Sequence, residues 1–477
     1  MNLPLGQYAI SGSGSLGICN LRVIGDVDII VTIGLWNTLA IKLCITEDAG
    51  IKKIVFPDGI VEALYEDSFI HENNNDVPTI AERIAAAEII DGLPFESLEH
   101  VLYFKRKMGR EKDMKDIQII ESFQKKQKNA ERIVHFIDKN VLELMKENNV
   151  PGISIAIIND GEIVSHQEYG FMNSKTNKQV EENSVFESAS LSKPVFAYGV
   201  LQMVESGKLD LDTPLVNVLS HIDVPDDKNL DLMTARMVLS HTTGFPNWRP
   251  KDGELKIHFK PGEKFSYSGE GYVYLQKVLE LLSGMSLEEY IKNRVFIPLG
   301  MTHSSFVWQN EYEILKASGH NPEGTPIERV KPTKANAAYT LHTTPLDYAK
   351  FVIALMNDKG LMNETIHQMI RPQIKVEEGR IDCTDNKTIK LSETISWGLG
   401  LGIQTTSEGE LFWHWGDNNG FKSFIIASKE EKNGIIIFTN SSNGLKVISK
   451  LVSQYFGHRQ YAFDWLDSGY SFDKNER

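Results

Sequence analysis

Residues 187–199 read ESASLSKPVFAYG, and this stretch decides how most of the chain is interpreted. It contains Ser190, two spacer residues, Lys193, Pro194 and then an apolar run with helical spacing. Because proline suits the first turn of a helix, the pattern predicts a helix that begins near Ser190. Serine is also a common N-cap residue, so a purely structural role for Ser190 is the simplest alternative.

A serine at the start of a helix is well placed to attack a carbonyl group. The positive end of the helix dipole favours developing negative charge, and the first backbone N–H groups can face an oxyanion. Lys193 lies on the same helix face as Ser190, and it can take the serine proton only if its amine is neutral, as burial would make it. Ser122 and Lys125 have the same spacing but lie in a charged stretch that would not dehydrate the lysine. The context therefore favours Ser190 as the nucleophile.

Two later stretches offer further catalytic groups. Residues 260–276, KPGEKFSYSGEGYVYLQ, contain Tyr267, which could act as a general base if nearby cations stabilised its phenolate. Residues 411–424, LFWHWGDNNGFKSF, contain His414 and Gly416 on a predicted strand. His414 could polarise a substrate or tune Tyr267, and Gly416 would leave room for a substrate against the strand. The alternatives are a core tyrosine with a satisfied hydroxyl and a structural histidine.

Four aromatic residues near these segments are expected to be structural. His241 lies in LSHTTGF, which has the pattern of a capped helix end followed by a turn. Trp397, Trp413 and Trp415 are expected to pack in the core, with lining of the pocket as the alternative.

Residues from about 131 to 455 resemble the serine beta-lactamase and penicillin-binding-protein-like hydrolases, and most of all their class C and esterase-like branch. The S-x-x-K motif that begins at Ser190 is shared with related beta-lactamases. Six stretches carry the resemblance, in this order: PGISIAIINDGEIV, FESASLSKPVFAYGVLQMVESGKLDLDTPL, LSHTTGFPNW, KPGEKFSYSGEGY, VFIPLGM and ISWGLGLG.

The resemblance implies an α/β fold in which an antiparallel sheet is flanked by helices and accompanied by a helical subdomain. It also implies that Ser190 is acylated, that Lys193 and Tyr267 transfer the proton, and that the N–H groups of Ser190 and Asp417 form the oxyanion hole. The substrate would be a small ester, amide or peptide, and the hydrolysis would need no cofactor.

Two positions depart from the family pattern. The tyrosine motif usually ends in an asparagine whose amide helps to hold the substrate, whereas here it ends in Gly269. The last motif is His-Trp-Gly from His414 onward, where beta-lactamases usually carry Lys-Thr-Gly, and this histidine is similar to that of esterase and D-aminopeptidase-type relatives. Because a neutral histidine binds a carboxylate less firmly than a lysine, we expect an ester or amide hydrolase rather than an antibiotic-resistance enzyme. A D-amino-acid peptide or a beta-lactam stays open as the substrate.

The first half of the chain has its own pattern. Residues 8–32 read YAISGSGSLGICNLRVIGDVDIIVT, a short strand, a Gly/Ser loop and a second strand. Asp26 and Asp28 alternate on that second strand, so both side chains are expected on one face. Two carboxylates beside a loop rich in backbone N–H groups could hold Mg²⁺ and the phosphates of a nucleotide. Residues 77–90, VPTIAERIAAAEII, have helical spacing.

Residues 1–120 resemble the nucleotidyltransferase fold. The resemblance rests on Gly14 and Ser15, on the Asp-Val-Asp spacing of residues 26–28, and on the later segment KRKMGREKDMKDI. It implies a third carboxylate on a later strand, for which Glu62 and Glu66 are both candidates. The alternatives are nucleotide binding without turnover and a scaffold in which the first aspartate only caps a turn.

Composition limits the possible partners and compartment. The 477 residues carry a net charge of -14, which argues against nucleic acid or an anionic membrane as the main partner. The first residues lack a signal-peptide pattern, and the 3 cysteines are too far apart for a disulfide framework or a metal site. We therefore expect a cytoplasmic protein that does not enter the membrane.

The predicted organisation is a small α/β domain (1–120), a helical connector (121–132), a hydrolase domain (133–458) and a C-terminal tail (459–477) whose aromatic residues dock on the domain. The main hypothesis is a serine hydrolase. One alternative is an Mg-nucleotide enzyme in which the hydrolase domain is accessory. The other is a sensor that binds a ligand on a hydrolase fold without catalysis.

Overall fold

The computed structural model describes residues 3–19, 21–48, 51–65, 77–219, 228–251, 253–376, 395–406, 409–457 and 460–469, with the backbone alone at 48, 125–133, 136 and 468–469. The chain divides into two compact units, Met1–Asn129 and Ala130–Arg477. None of the helices in the described ranges is both long and apolar enough to cross a lipid bilayer.

The first unit is built on a mixed sheet of short strands. The strands are β1 Tyr8–Ser11, β2 Val27–Val31, β3 Ile45–Asp48, β4 Ile51–Val55, β5 Val61–Leu64, β6 Glu88–Ile90 and β7 Leu93–Phe95, in the spatial order β3-β4-β5-β2-β1-β7-β6. The helices are α1 Ser13–Ile18, α2 Ile33–Ala40, α3 Ile80–Ala85 and α4 Leu98–Met108, followed by α5 Glu111–Glu147, which contains the predicted connector 121–132. Strands β2 and β5 are parallel neighbours, and their register places Asp28 directly opposite Glu62.

The helix predicted over residues 77–90 is only half correct. α3 starts with a capping box in which Thr79 and Glu82 satisfy each other's backbone N–H groups, but it ends at Ala85. Glu88–Ile90 form β6, which pairs with β7 across Asp91 and Gly92, both with positive φ. An Asp-Gly pair is a strong signal for a tight hairpin, and here it outweighs the helical spacing before it.

The second unit contains a nine-stranded sheet in which every neighbouring pair is antiparallel. Its strands lie in the order β10-β9-β8-β18-β17-β16-β15-β14-β13, and β11 pairs with β12 in a separate ribbon. The strands are β8 Gly152–Asn159, β9 Glu162–Asn173, β10 Lys178–Gln179, β11 Phe186–Ala189, β12 Leu341–Thr343, β13 Ile374–Lys375, β14 Ile395–Trp397, β15 Gly402–Thr406, β16 Gly409–Asn418, β17 Phe421–Ser428 and β18 Asn433–Thr439.

Helices cover both faces of this sheet. They are α6 Ser192–Glu205, α7 Ala235–Leu239, α8 Gly269–Ser283, α9 Leu287–Ile291, α10 Ile297–Leu299, α11 Tyr312–Leu315, α12 Pro345–Met356, α13 Asn363–Ile370, α14 Gly444–Phe456 and α15 Tyr461–Gly469. One core contains the buried sides of α6, α8 and α12, and the other contains α14, α15 and the end of α5. This arrangement confirms the predicted α/β class with an antiparallel sheet between helices.

The C-terminal segment docks on the second unit. Helix α15 buries Phe463, Trp465 and Leu466 in the same core as Trp397 and Trp413. Its aromatic residues therefore pack in the core of the second unit, while residues 470–477 lie outside the described part of the chain.

Candidate active site

The candidate nucleophile lies on the turn between β11 and α6. Helix α6 begins at Ser192 and its N-cap residue is Leu191, so Ser190 precedes the helix and does not cap it. Ala189 has a φ of 51°, a left-handed conformation that is costly for a residue with a side chain. The N–H of Lys193 donates to the carbonyl of Ser190 at 3.0 Å and closes the turn. The half-buried Ser190 is thus held by a strained backbone, as is common at functional sites.

Lys193 meets the requirement for a proton acceptor. Its Nζ lies 3.1 Å from Ser190 Oγ and 2.9 Å from the carbonyl oxygen of Ala338. The residue is 1% exposed, and this burial holds the pKa of its amine well below the usual range for lysine. A neutral amine within hydrogen-bond distance of a serine hydroxyl can remove its proton.

Tyr267 lies beside this lysine, with its ring centroid 4.7 Å from Lys193 Nζ. The ring packs against those of His241 and Trp415, at centroid distances of 4.2 and 4.7 Å and interplanar angles of 31° and 42°. The backbone N–H of Ser268 donates to His241 Nδ1 at 2.9 Å, and the N–H of Ser266 donates to the His241 carbonyl at 2.8 Å. His241 therefore holds both neighbours of Tyr267 in the chain.

The sequence predicts a structural role for His241, and the structure places this histidine inside the site. Its ring is buried, and burial keeps its pKa well below the usual value for histidine. Because Nδ1 accepts a hydrogen bond, the neutral ring carries its hydrogen on Nε2. Nothing in its local sequence signals this position, although its positive φ of 55° marks a sharp turn.

His414 lies on β16 and is completely buried. Its Nδ1 is 2.7 Å from the carbonyl oxygen of Trp415, which can only accept, so Nδ1 carries the hydrogen and Nε2 a lone pair. Burial holds the pKa of this imidazole well below its usual value, so the ring is neutral at physiological pH. Its ring centroid is 6.1 Å from that of Tyr267, so the predicted pair is close in space.

Gly416 and Asp417 follow on the same strand. A side chain at Gly416 would overlap the carbonyl oxygen of Ser188 and the hydroxyl of Ser423, two groups that are themselves hydrogen-bonded at 3.0 Å. The space predicted for a substrate is thus filled by the protein's own backbone just before the nucleophile. The carboxylate of Asp417 forms an ion pair with Lys422 at 2.6 Å. Its backbone N–H stays a predicted oxyanion donor.

Gly269 is the first residue of α8, and an indole occupies the space beside it. A β-carbon at Gly269 would lie 2.7 Å from the ring of Trp248. Its N–H donates to the backbone carbonyl of Asn247 at 3.0 Å. An asparagine at this position, as in the family pattern, would collide with the indole.

The first unit brings part of its predicted site together. Asp26, Asp28 and Glu62 line one cavity of about 330 Å³. Burial raises the pKa of Asp28, and the negative charges of Asp26 and Glu62 raise it further. Glu66, the other candidate for the third carboxylate, lies outside the described residues.

Other predicted features of that unit are placed differently. Gly14 and Ser15 do not line the cavity: they lie in α1, where Ser15 Oγ donates to the carbonyl of Ile10 at 3.2 Å. Gly12 and Ser13 line it instead. Glu62 forms an ion pair with Lys53 at 2.8 Å. Among the described residues, no group of three or more His, Cys, Asp or Glu side chains could hold a metal ion.

Basic side chains share the walls of this cavity with the three carboxylates. They are Arg22, Lys53, Arg83, Lys105, Arg110 and Lys112. Arg83 and Lys105 are buried and paired with Glu96 and Asp116, respectively. The cavity therefore combines both signs of charge.

Known proteins match the second unit. A protein-family model described as Beta-lactamase matches residues 137–449. Protein flp of Staphylococcus aureus (strain N315) is 24% identical over 345 residues, which cover 68% of this chain and 67% of that protein. The octameric penicillin-binding protein homologue from Pyrococcus abyssi is 27% identical with a TM-score of 0.57, over 68% of this chain and 78% of that one. A class C beta-lactamase is 21% identical with a TM-score of 0.59, over 69% and 98% of the two chains.

Proposed function

The chain belongs to the beta-lactamase family, and on that premise we propose that its second unit hydrolyses an ester or amide through an acyl-enzyme on Ser190. The observation that carries this proposal is the 3.1 Å contact between Ser190 Oγ and the buried amine of Lys193. A dehydrated lysine next to a serine has no obvious structural purpose, whereas it supplies the base that acylation needs.

The proposed reaction has two steps. Ser190 Oγ attacks the carbonyl carbon while its proton passes to Lys193, and backbone N–H groups at Ser190 and Asp417 bind the oxyanion. The bond to the leaving group then breaks, and the leaving group takes a proton from Lys193 or, through it, from Tyr267. A water molecule next attacks the acyl carbon and gives a proton to Lys193. That proton passes to Ser190 Oγ as the bond between Oγ and the acyl carbon breaks, and the acid leaves. Neither step calls for a cofactor.

The neutral state of His414 favours substrates that need no cation at this position. Its lowered pKa leaves no charge to bind a carboxylate, which a beta-lactam or a peptide with a free C-terminus would present. The accepting Nε2 instead suits a substrate or a tyrosine hydroxyl that donates a hydrogen bond. An uncharged ester or amide therefore suits a neutral His414 better than a beta-lactam does. A D-amino-acid amide ranks between them.

A substrate panel tests the proposal. We would measure p-nitrophenyl ester, D-amino-acid amide and nitrocefin hydrolysis by the wild type and by Ser190→Ala, and label Ser190 with a serine-reactive phosphonate. Ester or amide turnover that Ser190→Ala abolishes is the expected result. A folded protein with no turnover and no adduct on Ser190 would overturn the proposal and favour a ligand sensor.

A second candidate function concerns the first unit, which we propose as a nucleotide site on the nucleotidyltransferase pattern. The register of Asp28 opposite Glu62, in a cavity with basic walls, supports it. Mg²⁺ would have to displace Lys53 from Glu62 to reach both carboxylates. A rise in melting temperature with Mg-ATP that Asp28→Ala removes is expected, and no shift in the wild type would contradict the candidate.

A further inference from the structure

Two exposed aromatic side chains stand next to the catalytic groups. Trp248 is 44% exposed and Tyr339 is 41% exposed, although large aromatic residues are usually buried. Their rings meet edge to face, with centroids 5.6 Å apart and an interplanar angle of 88°. We call Trp248 and Tyr339 the aromatic pair.

Both members of the pair are joined to the catalytic residues through their neighbours. Tyr339 follows Ala338, whose carbonyl oxygen accepts a hydrogen bond from Lys193 Nζ at 2.9 Å. Trp248 lies over Gly269, two residues after Tyr267. The aromatic pair therefore borders the catalytic groups on the side where the family's asparagine amide would lie.

The loop that carries Trp248 is fixed to helix α8. The carbonyl of Asn247 accepts the N–H groups of Gly269 and Glu270 at 3.0 and 3.1 Å. Glu270 in turn receives the Arg249 guanidinium at 3.0 and 2.9 Å, as well as the Arg249 N–H at 3.1 Å. A bidentate arginine–carboxylate pair of this kind is among the more rigid polar contacts in proteins.

The loop that carries Tyr339 is fixed to the same helix. The side chain of Gln276 donates to the carbonyl of Ala335 at 3.0 Å and accepts the N–H of Ala337 at 2.9 Å. Asn336 accepts the N–H groups of Tyr339 and Thr340, each at 3.3 Å. Two exposed aromatic side chains thus stand on supports that are ordered without a ligand, as in a preorganised binding site.

We propose that the aromatic pair binds an apolar acyl group of the substrate, a phenyl ring or a chain of several methylenes, in place of the polar amide that an asparagine would bind. The inference rests on the proposed hydrolase function and adds the acyl specificity to it. An indole and a phenol offer apolar surface and no strong acceptor to a substrate amide, so they select acyl groups by apolar area. Gly269 is required because any larger residue would displace Trp248.

Matched p-nitrophenyl esters test this inference. We would compare kcat/KM for acetate, hexanoate and phenylacetate in the wild type, Trp248→Ala, Trp248→Phe and Tyr339→Ala. The wild type should prefer hexanoate and phenylacetate to acetate by on the order of tenfold or more. Trp248→Ala should lose most of that preference, and Trp248→Phe should keep part of it.

Leu281→Ala is the matched control, because Leu281 is 57% exposed on the same helix, near the end that lies away from Gly269. It should leave the preference unchanged. Ester hydrolysis that depends on Ser190 but shows no acyl preference, or the same preference in Trp248→Ala, would overturn this inference alone. No reaction with any ester or with the phosphonate would overturn the proposed function and this inference together.

Discussion

Burial of a single amine determines whether Ser190 can be activated. Because burial lowers the pKa of Lys193, the neutral form that accepts the serine proton should dominate at a pH well below 10.5. We expect the second-order rate of phosphonate labelling at Ser190 to rise with pH and reach a plateau well below that value. The labelling rate is measured by mass spectrometry across the pH range.

Lys193→Arg is the control for this profile, since a guanidinium keeps a similar length and charge but is not deprotonated in proteins. Its labelling rate should not follow the wild-type rise with pH and should lie about 10²- to 10⁴-fold below the wild-type plateau. A wild-type profile that keeps rising beyond pH 10.5 would mean that the amine has an ordinary pKa, and the role of Lys193 as base would fail.

At the same scale, His241 supports Tyr267 by accepting the buried N–H of Ser268. His241→Phe keeps an aromatic ring against Tyr267 but removes the acceptor, which should lower the free energy of unfolding by about 1–3 kcal/mol. His241→Asn supplies an acceptor oxygen, and asparagine tolerates the positive φ at this position better than phenylalanine does. Urea unfolding should therefore rank Asn above Phe. Equal stability of the two variants would show that the Ser268 contact contributes little.

Among the elements, strand β16 and the turn before α6 approach each other closely. The absence of a side chain at Gly416 allows this approach, because the Ser188 carbonyl and the Ser423 hydroxyl occupy the space that a β-carbon would need. Gly416→Ala should therefore cost about 1–3 kcal/mol of stability and also displace the turn that carries Ser190. The urea midpoint and the kcat/KM of the ester assay measure the two effects.

Gly271→Ala is the control at this scale, because the atoms nearest to its added β-carbon lie at an ordinary 3.6 Å, and alanine favours a helix. It should be neutral or slightly stabilising. A Gly416→Ala variant as stable and as active as Gly271→Ala would show that β16 can shift without affecting the nucleophile.

For the whole molecule, buried histidines predict sensitivity to acid. Burial and the charge of Lys316 lower the pKa of His342 from 6.5 to about 4, against the opposing effect of Glu187. Between pH 6.5 and about 4 the unfolded chain binds more protons than the folded chain, so the free energy of unfolding should fall as the pH falls. A histidine whose pKa is lower by one in the folded chain than in the unfolded chain contributes about 1.4 kcal/mol to this loss.

Urea unfolding followed by tryptophan fluorescence at pH 7, 5.5 and 4.5 measures this loss. In His342→Asn the amide can still donate to the carbonyl of Thr340, which accepts from His342 Nδ1 at 2.8 Å, and the slope with pH should be shallower. His303→Asn, which replaces a histidine whose side chain is 34% exposed, is the matched control. Identical slopes in all three proteins would rule out His342 as a source of the acid sensitivity.

Features that depend on residues close together in the chain could be predicted from the sequence more reliably than features that depend on distant residues. The spacing of Ser190 and Lys193 and the order of the six stretches are local patterns, and the family resemblance that they carry implied the correct class of fold. The helical spacing of residues 77–90 predicts one helix and does not predict the hairpin at Asp91 and Gly92, because the turn signal of that pair is stronger than the spacing before it. In that case the local signals conflicted, and the pairing of two strands decided the result.

The sequence alone determined the order of the motifs and, through the family resemblance, the antiparallel fold of the second unit. It also favours Ser190 over Ser122 as the nucleophile, which stays a prediction. Only the tertiary structure showed that Lys193 is dehydrated, that His241 lies against Tyr267, and that Trp248 fills the space beside Gly269. The physical reason is that spacing and turn chemistry act over a few neighbouring residues. Burial, and with it the pKa and the shape of a site, depends on residues that meet only when distant parts of the chain pack together.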